Sequence, residues 1–221
     1  MRKRFAQQLE ILNSEMVEMG ELCEKAIKNA VHGLVTGEMG YSKLARQMAG
    51  EIDEKERSIE QLCLKMILKQ QPVAGDLRQI SAALKMITDM ERIGDQAEDI
   101  AEITQMNDIS TWAKNVPVAQ MASVVMKMVT ESIDAYVDKD LVLAKKVIDD
   151  DDTADSYFNE IKNELIGLIT KDSNCGVYAI DLLMISKYLE RIGDHATNIA
   201  EWVEYSVTGI HKGQHDQLGL V

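Results

Sequence analysis

The sequence is short of proline, cysteine and aromatic residues: two prolines, three cysteines, two tryptophans and two phenylalanines in 221 residues. Proline removes a helical N–H and clashes with the preceding turn, so its scarcity leaves long stretches free to run as helix. Cys23, Cys63 and Cys175 are odd in number and far apart, with no Cys-x-x-Cys. That fits buried thiols in a reducing cytosol better than a disulfide frame or a cysteine zinc site. A run of about 18 apolar residues, the length a spanning helix needs, occurs nowhere, so no direct membrane insertion is expected. The start, Met1-Arg2-Lys3-Arg4, has the basic look of a signal peptide, but Gln7, Gln8 and Glu10 interrupt the apolar run that must follow. Positive charge is scarce too. Lys and Arg total 24 against 37 Asp and Glu, a net charge of -13 that repels phosphate backbones and argues against nucleic acid as a partner.

What is present is apolar residue at helical spacing: 46% of the chain is hydrophobic, enough to bury a sizeable core. From Phe5 the series Leu9, Leu12, Met16, Met19, Cys23, Ala26 and Ala30 steps four and three in alternation. This is the seam of a helix lying nearly parallel or antiparallel to its neighbours. Gly33 and Gly37 weaken and end it. A second helix carries Leu44, Met48, Ile52, Ile59, Leu62 and Met66 on its inner face and stops near Gln71-Pro72. The third restarts at about Asp76, a residue suited to cap it. A loop around Asn107 to Asn115 follows, and Pro117 opens a fourth helix containing Val118, Met121, Val125, Met128 and Ala135. Two more helices complete the chain, and the stretch from Gly209 on, without periodicity, is read as a mobile tail.

The third and sixth helices share a motif. Glu91-Arg92-Ile93-Gly94-Asp95-Gln96-Ala97-Glu98-Asp99-Ile100-Ala101-Glu102 recurs 99 residues later as Glu190-Arg191-Ile192-Gly193-Asp194-His195-Ala196-Thr197-Asn198-Ile199-Ala200-Glu201, with nine of twelve positions identical. Asp53 and Ile59 match Asp155 and Ile161 at an offset of 102, so the three-residue difference falls in the intervening turn. The fold class is therefore all-α: two tandem three-helix bundles, residues 1–112 and 113–221, related by a pseudo-twofold or a translation.

On a helix at about 100° per residue, Glu91, Asp95, Glu98, Asp99 and Glu102 form one stripe, with Met86, Met90, Ile93, Ala97 and Ile100 on another side. Like charges four apart repel by a few tenths of a kcal/mol, so the stripe is slightly destabilising unless a cation sits on it. Antiparallel pairing about a turn near residue 73 places Asp53 level with residue 93, between Glu91 and Asp95. The same reasoning about a turn near 174 pairs Asp155 with Asp194 and Asp151 with Asn198. Each half thus gathers carboxylates from two helices into one patch. Oxygen donors without thiolate or imidazole suit hard cations such as calcium, magnesium, manganese or iron. A simple solvated face is the plainer alternative. His195 lies about 140° from Glu190 around the helix, off the stripe, and reads as a surface or interface residue. Arg92 and Arg191 read as salt-bridge partners of the patch.

The doubled Glu-Arg-Ile-Gly-Asp motif, with Gln70-Gln71-Pro72-Val73-Ala74-Gly75-Asp76-Leu77-Arg78 and Ala82-Ala83-Leu84-Lys85-Met86-Ile87, resembles the PhoU family of phosphate-uptake regulators over nearly the whole chain. The resemblance implies two three-helix bundles, a cytoplasmic location, homodimers, no enzymatic activity, and multinuclear iron, or else manganese, zinc or magnesium, bound by paired Glu/Asp-x-x-x-Asp motifs. By position, Glu91 and Asp95 with Asp53 would make a first site, Asp99 extending its stripe, and Glu190 and Asp194 with Asp151 and Asp155 a second. Ala49 stands where the second half has Asp151, leaving Glu51 or Glu56 as nearby substitutes. The resemblance further implies negative regulation of phosphate uptake and starvation signalling, as an adaptor between the ATPase of the phosphate ABC transporter and a sensor histidine kinase. Two rival readings are a carboxylate-bridged metal enzyme or storage protein of di-iron type and a metal-free scaffold. The di-iron class uses Glu-x-x-His pairs facing a bundle interior, and none occurs here.

Overall fold

The computed structural model describes residues 2–70, 72–107 and 109–210. Its elements are α1 (Arg2–Thr36), α2 (Met39–Gln70), α3 (Ala74–Met106), α4 (Ser110–Ala113), α5 (Val118–Asp138), α6 (Leu141–Lys171), a 3-10 turn (Ser173–Cys175) and α7 (Gly176–Thr208). The described residues contain no strand, and no helix among them is long and apolar enough to cross a membrane. α1, α2 and α3 pack on one another, as do α5, α6 and α7. The alternating seam of α1 is realised, with Phe5, Leu12, Met16, Met19, Cys23, Ala26 and Ala30 all buried.

Four local expectations are corrected. Gly33 does not end α1, which continues to Thr36. It stays in the helix because the missing side chain admits α2: a Cβ there would lie 2.7 Å from Ser42 Oγ. Gly37, at φ 75°, makes the break, in the left-handed region that glycine enters without strain. Leu44 is 42% exposed, while Ser42, Ala45 and Ala49 on the neighbouring face of α2 are buried. Asp76 does not cap α3, since the helix begins two residues earlier and Val73 occupies the cap. It lies instead in the first turn, where a carboxylate favours the helix dipole. Finally, the expected loop from 107 to 115 contains α4, held by stacking of Trp112 on Tyr178 with ring centroids 5.9 Å apart.

The symmetry left open by the sequence is a pseudo-twofold. α3 lies antiparallel along α7: Arg78 packs at Gly209, Asp89 accepts a hydrogen bond from Asn198, and Asn107 donates one to Asp181. Five residues inward from Asp89 and Asn198 along each helix, Gly94 stands level with Gly193, the same position of the two repeats. Antiparallel helices with equivalent residues level are related by a twofold, whereas a translation would keep them parallel. α1 also packs on α5, where Gly20 makes room for Ile133. One buried apolar cluster takes in side chains from all six long helices, so the two bundles share a continuous core.

Candidate metal centre

The first patch is built at the level of Gly94. A Cβ on that residue would stand 3.0 Å from Ile52 Cδ1 and 3.3 Å from its Cγ2, so glycine brings α2 and α3 together there. Ile52 fills the core, and Asp53, next in the chain, falls on the flank. Asp53, Glu91 and Asp95, all half-buried, each place an oxygen within 4.8 Å of the others, the one such acidic trio among the described residues. Arg92 lies over two of them, its Nε 3.4 Å from Glu91 and its Nη1 3.1 Å from Asp95. Burial holds the Glu91 carboxyl above the usual carboxylate range, and Asp95, Glu56 and Asp53 push it further while Arg92 opposes.

Ala49 is buried in the core, so the position equivalent to Asp151 is closed to solvent chemistry. Glu56 takes its side of the patch. Its own carboxyl is raised by burial first and then by Glu60 and Asp53, whereas Glu51 is occupied by a hydrogen bond from Gln47.

In the second half, Gly193 admits α6 more loosely: a Cβ there would meet Asp151 Oδ1 at 3.4 Å and the Ala154 Cβ at 3.7 Å. Burial raises the Asp151 carboxyl to about 6, with Asp194 and Asp155 adding to the rise. Asp194 is raised by burial and Glu190, against Lys187. Lys187 pairs with Glu190 and covers the Phe158 ring at 5.5 Å. The Thr197 hydroxyl, beside Asp151, is buried without a hydrogen-bond partner of full geometry. Asp151, Asp155, Glu190 and Asp194 thus crowd one another electrically, but no three of them converge as tightly as the first trio.

Asp99 lies outside the trio but beside one of its members, Asp95. It lines a groove of about 520 Å³ between α3 and α7 with Arg92, Asp95, Gln96, Glu98, Glu102, Arg191 and His195. Burial raises its carboxyl, Asp95, Glu102 and Glu98 add to this, and Arg191 from α7 opposes. His195 sits at the helix interface, as its place off the stripe predicts, with Nδ1 2.9 Å from Asp89 Oδ1. Asp89 escaped the sequence reading because its repeat equivalent is Tyr188, and a search for recurring carboxylates passes over it.

The donors of both patches are carboxylate oxygens, with the Thr197 hydroxyl beside Asp151 in the second, a set that fits a hard cation better than a soft one. Such an ion, when bound, neutralises carboxylates that otherwise raise one another's proton affinity. The patches lie on the flanks of the bundles and contain no imidazole, unlike an interior di-iron site.

A family model described as the PhoU domain matches residues 16–104 and again 118–203. The chain belongs to the PhoU family. The two matches coincide with the α1–α3 and α5–α7 groupings, so each three-helix bundle is one PhoU repeat. Curated relatives include proteins named phosphate-specific transport system accessory protein PhoU homolog. The one from Clostridium acetobutylicum is 36% identical over 94% of this chain and 96% of its own. That from Pseudomonas aeruginosa is 34% identical over 94% of this chain and 86% of its own. The crystal structure of PhoU from Pseudomonas aeruginosa superposes with a TM-score of 0.84 at 33% identity, covering 93% of this chain and 100% of that one. The phosphate transport system regulatory protein PhoU from Streptococcus pneumoniae, at 22% identity and a TM-score of 0.82, shares the fold.

Proposed function

We propose that this chain is an accessory, regulatory protein of phosphate transport that represses phosphate uptake and phosphate-starvation signalling. It acts in the cytoplasm as an adaptor without catalysis, binding the ATPase of a phosphate ABC transporter and a sensor histidine kinase, and it works as a homodimer. Residues 1–112 and 113–221 are its two repeat units. The observation that carries this reading is kinship along nearly the whole chain to proteins named as accessory proteins of the phosphate-specific transport system. Deleting the gene in cells grown at high phosphate is expected to derepress phosphate-starvation genes, and unchanged expression would refute the regulatory role.

The adaptor also binds metal, multinuclear iron foremost and manganese, zinc or magnesium as alternatives. Asp53, Glu91 and Asp95 hold the first group, while Asp151, Asp155, Glu190 and Asp194 hold the second; Asp99 contributes from the groove beside the first. The crowding of half-buried and exposed carboxylates supports this, because it leaves negative charge for a cation to neutralise. Elemental analysis of protein purified without chelator or metal-affinity resin is expected to find roughly one ion per chain or more. A metal-free result after repletion sinks the metal reading and leaves the regulatory one standing.

A further inference from the structure

The two ends of the molecule differ in a way that neither the carboxylate patches nor the adaptor role uses. At the α2–α3 turn, Leu64 is 47% exposed, Leu68 80%, Val73 66% and Leu77 43%. Leu64 and Leu68 stand one helical turn apart near the end of α2, and Leu77 lies in the first turn of α3, level with the last turn of α2. Val73, extended at φ -75° and ψ 166°, sits between the helices. These side chains therefore gather at the α2–α3 end of the first bundle, and none of them lines a described cavity. Lys65 and Lys69, one turn apart and immediately after the two leucines, are exposed and form no ion pair among the described residues. Between residues 64 and 78 the charges are Lys65, Lys69 and Arg78 against Asp76 alone, in a chain whose net charge is -13.

The α6–α7 turn supplies the internal contrast. It is also apolar, with Ile166 57% exposed, Val177 61% and Ile180 60%, but its charges between residues 166 and 180 are only Lys171 and Asp172. Because α3 and α7 run antiparallel, this neutral tip lies at the opposite end of the molecule from the basic one.

We propose that the α2–α3 tip is a peripheral docking site for an anionic lipid bilayer, with Leu68 and Val73 entering the headgroup boundary and Lys65 and Lys69 lying against its negative surface. Apolar side chains over basic neighbours are the combination that binds the interface of an anionic membrane without spanning it. A peptide partner takes a groove or a sheet edge, and Leu64, Leu68, Val73 and Leu77 line none of the described cavities. A second copy of the same tip would bring Lys65 and Lys69 against like charges. A deformable surface accepts an exposed tip and rewards its charge. The proposal goes beyond the adaptor reading and does not depend on its metal ions.

The test is co-sedimentation of the full chain with vesicles of phosphatidylcholine containing phosphatidylglycerol, against vesicles of phosphatidylcholine alone, at low and high salt. Binding is expected to be roughly tenfold or more stronger to the anionic vesicles and to fall as salt screens the lysines. K65E/K69E and L68S/V73S are each expected to lose most of it, while V177S/I180S at the neutral tip keeps it. All these side chains are exposed, and circular dichroism of each variant confirms that the fold is kept. Equal binding to both vesicles, retention by K65E/K69E, or loss in V177S/I180S overturns the proposal. So does failure of the wild type to sediment with anionic vesicles, in which case an acidic protein is the ligand that the charge of the tip favours.

Discussion

Asp89 on α3 and His195 on α7 join the two repeats across the pseudo-twofold, with His195 Nδ1 2.9 Å from Asp89 Oδ1. The same oxygen accepts a hydrogen bond from Asn198 Nδ2 at 3.2 Å. Asp89→Ala deletes the acceptor of both, leaving the half-buried His195 and the exposed Asn198 without their partner. The expected loss is about 1.5–3 kcal/mol in urea melts, the range for a hydrogen bond with a charged group. A double-mutant cycle with His195→Ala should give a coupling of at least about 0.5 kcal/mol, and strict additivity would mean that the pair does not hold the halves together.

The two equivalent glycines are expected to respond oppositely to the same change. Gly94→Ala drives a methyl against three atoms of Ile52, a side chain stiff at χ1. This overpacking should cost about 1 kcal/mol or more, beyond the gain in helix propensity. Gly193→Ala meets Asp151 Oδ1 at 3.4 Å and Ala154 and Met128 no closer than 3.7 Å, all ordinary contacts. There the propensity gain of about 0.8 kcal/mol should show as a small stabilisation. Denaturant midpoints of the two variants check it, and equal shifts would contradict the difference in packing.

Asp151 predicts the direction of the pH dependence in chelator. Its carboxyl is raised to about 6 in the fold, against about 3.9 in an unfolded chain. Between these values the folded state holds the extra proton, so stability is full below about pH 4 and falls as pH rises towards about 6. Asp151→Asn should flatten that part of the profile. Melts of both proteins across the interval decide it, an unchanged slope counting against Asp151 as the source.

Asp194→Asn is expected to change sign with metal. In chelator it relieves repulsion from Glu190 and Asp155, leaving stability unchanged or raising it by a few tenths to about 1 kcal/mol. With iron or manganese the wild type gains the binding energy of a ligand held only by the folded state, and the variant loses that gain. Thermal melts of both proteins, with chelator and with metal, separate the cases: identical metal-induced shifts would remove Asp194 from the ligand set.

The thiols provide a readout of the shared core. Cys23 and Cys63 are buried, and burial pushes each thiol up to about 12. Thiolate is the reactive form, so neither should react with a thiol reagent in the native protein. Labelling is expected only as denaturant opens the fold, tracking the unfolding curve, and fast native labelling of Cys23 would place it outside the core.

The chain carries in its own order the helices, the repeat and the pairing of Asp53 with Glu91 and Asp95. Helical periodicity assigns each face, and a short turn sets the level at which two consecutive helices meet, so residues 40 apart on adjacent helices can be aligned by counting. The turn at residues 72 and 73 supplies that constraint for α2 and α3. No short turn joins α3 to α7, and nothing local distinguishes a twofold from a translation. Only the packing of the two apolar faces decided that α3 runs antiparallel to α7, that Asp89 meets His195, and that Asp99 faces a groove lined from both helices. Leu44 shows the same limit at smaller scale. Its helical spacing suits the core, but the face of α2 that meets α1 runs through the small residues Ser42, Ala45 and Ala49 and leaves Leu44 exposed, a rotation set by the pair of helices, not by either sequence stretch.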